Sequence, residues 1–77
     1  MMKEYVIDVG KVEELQTINN RNELETIFDR ANSTIVNGEK VVLVRKQKNG
    51  KAEKFDELTT QTDLEEYRKS VFKYLKD

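Results

Sequence analysis

Four consecutive apolar residues, Val41-Val42-Leu43-Val44, form the longest unbroken apolar run in a 77-residue chain that is 38% charged. A run apolar on both faces belongs in the middle of a sheet. Asn49-Gly50 follows it, and Asn-Gly is the strongest two-residue hairpin signal, because a type I′ turn needs positive φ at both positions. The stretch Val41 to Phe55, VVLVRKQKNGKAEKF, therefore predicts two antiparallel strands with a basic tip. A two-residue turn pairs Val44 with Phe55, Lys46 with Glu53 and Val41 with Leu58; the first is an apolar pair and the second an ion pair. It also sets Arg45 opposite Lys54, a like-charge pair tolerable at a solvated tip.

The other elements follow from periodicity. Tyr5, Ile7 and Val9 alternate, which predicts a strand over residues 4–9 ended by Gly10. Val12, Leu15 and Ile18 lie three apart, which suits a short helix or an irregular wrap. Leu24, Ile27, Phe28, Ala31 and Ile35 share one helical face, with Asn22 and Glu25 as the N-cap pair and Asn37-Gly38 as the stop. Thr62-x-x-Glu65 is a capping box for a last helix whose stripe is Leu64, Tyr67, Val71, Tyr74 and Leu75. Acids fill its first turn, and Lys73 and Lys76 its last, which suits the helix dipole. The expected fold class is α+β: a small three-stranded mixed sheet with two helices on one face, in the order β-(short α/turn)-α-β-β-α. The helical connection should make strands one and two parallel. The second face of the sheet is left for solvent or for another copy, so a homodimer is the expectation.

Composition excludes several chemistries. The length predicts one domain, residues 1–77, that buries roughly 60% of its unfolded surface. There is no cysteine and no histidine, which removes the usual zinc and iron–sulfur ligands, cysteine nucleophiles and Ser–His triads. No cofactor and no metal are expected. The opening MMKEYVIDVG holds no apolar run of signal-peptide length, nothing is long enough to span a membrane, and zero cysteine fits a reducing compartment; a cytoplasmic protein is expected. The carboxylate neighbours Glu13-Glu14, Asp56-Glu57 and Glu65-Glu66 point to different faces and make poor dyads, so they read as surface charge and no enzyme is expected.

The formal charge is only −1, but it is unevenly spread. Residues 4–29 carry seven acids and two bases, a sum of −5; residues 40–54 carry six bases and one acid, a sum of +5. Such patches can steer a protein partner, another copy or a polyanion. Arg45, Lys46, Lys48 and Lys51 at the hairpin are candidate phosphate contacts, although a charged tip also blunts edge pairing. Tyr67, Phe72 and Tyr74 could stack bases, yet two of the three belong to or flank the apolar stripe and suit the core.

The arrangement resembles the N-terminal domain of Phd/YefM-type antitoxins. Asn20-Arg21-Asn22-Glu23-Leu24 looks like that family's Ala-Arg-x-Asn-Leu motif, keeping Arg21 and Leu24. Asn37 to Arg45 is similar to its glycine turn and strand, Asn49-Gly50-Lys51 to its hairpin, and Asp63-Leu64-Glu65-Glu66-Tyr67 to its last helix start. The resemblance implies a dimer that binds operator DNA, with Arg21 on the DNA side. The chain departs from the family where Asn20 and Glu23 replace Ala and Asn, and residues 10–19 look like an insertion. The expected function is thus a small non-enzymatic binding module: a homodimer contacting duplex DNA through Arg21 and the hairpin bases, or a protein–protein adaptor without a nucleic-acid role.

Overall fold

The computed structural model describes residues 4–75. Its elements run β1 (Glu4–Asp8), α1 (Val9–Thr17), α2 (Arg21–Val36), β2 (Lys40–Lys46), β3 (Ala52–Leu58) and α3 (Gln61–Phe72). The sheet order is β1-β2-β3, with β1 parallel and β3 antiparallel to the central β2. This is the α+β fold and mixed sheet expected from the sequence. Lys76 lies outside the described residues.

The ambiguous segment after Gly10 is helix. Asp8 closes β1 and caps α1 at once, its carboxylate accepting the Gly10 N–H at 2.9 Å. Val9, Val12 and Leu15 are buried on one side of α1. Asn19 then takes φ 54°, and the Asn20 N–H reaches back to the Leu15 carbonyl at 2.9 Å. This left-handed cap ends α1 and puts Asn20 where α2 begins. Asn20, not Asn22, is therefore the cap of α2, accepting from the Glu23 N–H at 3.2 Å. Likewise Thr60, not Thr62, caps α3, accepting from the Asp63 N–H at 3.1 Å. Thr60 is still extended after β3, as a cap must be, whereas Thr62 is already helical. Gly38 closes α2 at φ 81°, with the Glu39 N–H on the Thr34 carbonyl at 3.0 Å.

All three helices pack on one face of the sheet. Their buried residues, among them Val12, Leu15, Leu24, Phe28 and Val71, form one cluster with Ile7, Val41, Leu43 and Leu58. Extents of 37 × 32 × 17 Å leave room for one helix layer on one sheet. Val42 and Val44 lie outside that cluster, yet are only 4% and 8% exposed. On their face Val42 sits in register beside Val6 and Glu57, and Val44 beside Asp8 and Lys54. Lys40 bridges the face to Glu4 at 3.5 Å and to Glu57 at 3.3 Å. The aliphatic stems of such lysines shield the valines while their ammonium groups stay wet.

Candidate interaction surface at the hairpin end

The hairpin turns differently from the sequence expectation. The Gly50 N–H donates to the Gln47 carbonyl at 2.9 Å, and the Gln47 N–H to the Lys51 carbonyl at 2.7 Å. Gly50 has φ 85°, whereas Asn49 is not among the positive-φ residues. The loop therefore has three residues, closed by a left-handed glycine, rather than two in a type I′ turn. The extra residue shifts the tip register by one: Arg45 faces Glu53 and Val44 faces Lys54. The like-charge pair is replaced by an ion-pair register. The offset is absorbed by a bulge between Leu43 and Val44 of β2, where Phe55 of β3 is left without a partner, so Val41 still faces Leu58. Phe55, expected opposite Val44, is 57% exposed.

The basic stretch is largely neutralised from within. Arg45 makes two bonds to the Glu13 carboxylate on α1, at 3.0 and 3.2 Å. Lys46 points to the other face, 4.0 Å from Asp8. Lys54 meets Glu57, which Lys40 also holds. The acids of residues 4–29 thus meet the bases of residues 40–54 across β1, α1 and β2. Charges that looked like two docking patches are in part each other's partners. Arg45 holds the Glu13 carboxyl below its ordinary range and is itself pushed up by the same bonds. Bonds from Lys54 and Lys40 hold Glu57 down. Among the described residues, Lys48 and Lys51 at the tip have no carboxylate within ion-pair distance.

Arg21 opens α2 and lies 5.4 Å from the centre of the Phe72 ring, with Arg68 at 4.6 Å from the same ring. Tyr67 and Phe72 are half-buried against Phe28, their ring centres 5.6 and 5.7 Å from it. They are core aromatics, not a stacking platform. Arg21 and the hairpin share one end of the molecule. Tyr67, Ser70 and Tyr74 line a groove with Phe55 and Arg45, so α3 runs toward the hairpin and carries Phe72 there. The structure thus groups Arg45, Lys46, Lys48 and Lys51 on the hairpin and sets Arg21 on the helix layer.

That groove, about 280 Å³, lies between α1, the last turns of α3 and the hairpin. Val12 and Val71 are buried beneath it, and the 57% exposed Phe55 and the 70% exposed Tyr74 stand at its margin. Gln16 closes one end, its side-chain amide donating to the Val71 carbonyl at 3.0 Å. Burial, and to a lesser degree the nearby Glu13 charge, pushes the Tyr67 phenol up to about 12. Sequence reasoning missed this surface because four of its ten lining residues, Val9, Val12, Glu13 and Gln16, sit on α1. The available signal was Asp8-x-Gly10 followed by Val12 and Leu15, a cap and a face. Nothing in the sequence announced the bulge that exposes Phe55. Among the described residues no three acidic side chains converge to hold a metal ion, and no helix is long and apolar enough to cross a membrane. No family model, curated protein or solved structure matches this chain.

Proposed function

We propose that the chain is a non-enzymatic binding module whose working surface is the hairpin-end groove, filled by an uncharged apolar side chain of a protein partner. One observation carries this reading. The Arg45–Glu13 pair lines the groove and cancels its charge, while Phe55 and Tyr74 stay exposed beside it. A neutral rim around an apolar floor offers nothing to phosphate and favours an apolar anchor. The ionisable groups support binding over acid–base catalysis. Glu13 and Glu57 are shifted down and Tyr67 up, each away from the neutral range where a proton-transfer group works best.

The antitoxin-like DNA reading is the second. It is favoured by Lys48 and Lys51 at the tip, on the same end as Arg21. Self-association fits best across the uncovered sheet face, where Val6 lies beside Val42.

Amide shifts in a labelled sample separate these readings. Peptides selected from a displayed library should shift Phe55 and Tyr74, and Phe55→Ser should abolish that binding. Binding unchanged in Phe55→Ser would sink the groove reading. Saturable shifts with duplex DNA at Lys48, Lys51 and Arg21, weakening with salt by nearly one unit of log–log slope per neutralised phosphate, would establish the second reading in its place.

A further inference from the structure

The chain contains two Asn-Gly dipeptides, Asn37-Gly38 and Asn49-Gly50, and both glycines have positive φ. They sit in different mechanical settings. At Asn37-Gly38 three successive backbone N–H groups are tied to the last turn of α2. Asn37 donates to Ser33 at 3.0 Å, Gly38 to Ile35 at 2.9 Å and Glu39 to Thr34 at 3.0 Å. The chain then enters the central strand at Lys40. At Asn49-Gly50 the Gly50 N–H has one bond, to Gln47, in an exposed loop. The Asn49 side-chain carbonyl meanwhile accepts the Lys51 N–H at 3.0 Å. That bond draws electron density from Asn49 Cγ and makes it the better electrophile.

We infer that Asn49 is a site of spontaneous deamidation that recharges the hairpin tip, and that Asn37, in the same dipeptide, is protected by its helix cap. The chemistry needs only water and a base. The Gly50 nitrogen gives up its proton and attacks Asn49 Cγ. The Cγ–Nδ2 bond breaks, and ammonia leaves with a proton, closing a five-membered succinimide. Water then opens either carbonyl of that ring. Attack at the side-chain carbonyl gives aspartate in an unaltered backbone; attack at the main-chain carbonyl gives isoaspartate, with one more backbone carbon. Glycine after the asparagine speeds the step because it has no Cβ to hinder the nitrogen. Ring closure requires the Gly50 N–H to leave Gln47, which an exposed loop does at low cost. At Gly38 the same motion must open a helix end joined to the core strand. Either product places a carboxylate between Lys48 and Lys51, which have no carboxylate partner among the described residues, on a chain already at formal charge −1.

The test ages the full-length protein at mildly alkaline pH, natively and in urea, and maps both dipeptides by peptide mass and isoaspartate content. In urea the two sites should react at similar rates. In the native protein Asn49 should lead Asn37 by about tenfold or more, the ratio set by about 1.4 kcal/mol between their opening free energies. Equal native rates, or a native Asn49 that stays intact while the urea sample reacts, would overturn the inference.

Discussion

The two faces of β2 are built from nearly the same residues and are buried by different means. Val41 and Leu43, 0% and 3% exposed, lie against three helices; Val42 and Val44, one position along, lie beneath their neighbours on an uncovered face. On the first face burial comes from close packing of apolar groups. On the second it comes from strand neighbours and charged side chains in ion pairs, with water one layer away. An apolar run on a central strand thus need not mean two packed faces. The lesson bears on assembly too, since a sheet face closed by its own lysines and carboxylates has less need of a second copy.

The largest expected effect is at the covered face. Leu43→Ala should cost about 2–5 kcal/mol in denaturant unfolding, since it loses transfer energy and leaves a cavity. Val44→Ala should cost about 1.5 kcal/mol, because two methyl groups are lost and the flexible neighbours can settle. Equal costs would erase the distinction between the faces.

A sharper version uses one isosteric change at adjacent positions. Val41→Thr buries a hydroxyl with no partner, and about 1–3 kcal/mol should be lost. In Val42→Thr the hydroxyl can reach water or Glu57, so the loss should stay under about 1 kcal/mol. The reverse order would mean that the uncovered face is the drier one, as a dimer interface would make it.

The smallest effects are in pH. Glu57 on the uncovered face has a folded pKa below its unfolded value of 4.5. Its contribution is therefore present above that value and lost as pH falls through the lowered one. Tyr67 under the helices behaves oppositely. Raised from 10.0 to about 12, it favours the folded state below pH 10 and loses that contribution as pH rises toward about 12. Lys40 adds to the alkaline limb in the same direction. Lys40→Met should therefore soften the acid limb of a stability profile, and Tyr67→Phe the alkaline one. An alkaline limb unmoved by Tyr67→Phe would leave it to Lys40 and to Tyr5, whose phenol burial also pushes up.

Much of the architecture was legible because it is written locally. The stripe of Leu24, Phe28, Ala31 and Ile35 specifies α2, and the run at Val41 specifies the central strand. The caps were read two residues late at both Asn22 and Thr62, because a cap is chosen by where the preceding element releases the chain. The candidate site was read in part. Its bases were visible, but their partners Glu13 and Asp8 come from elements whose placement no local pattern states.

The sequence by itself determined two of the helices, the three strands, their parallel and antiparallel pairings and the place of the turn at Asn49-Gly50, though not its type, since periodicity, propensity and chain direction act over short spans. Only the tertiary structure decided the tip register, the exposure of Phe55 and the cancellation of the charge blocks. Those depend on which residues meet across β1, α1 and the hairpin, and charges far apart in the chain acquire their energies only at the distances the fold sets.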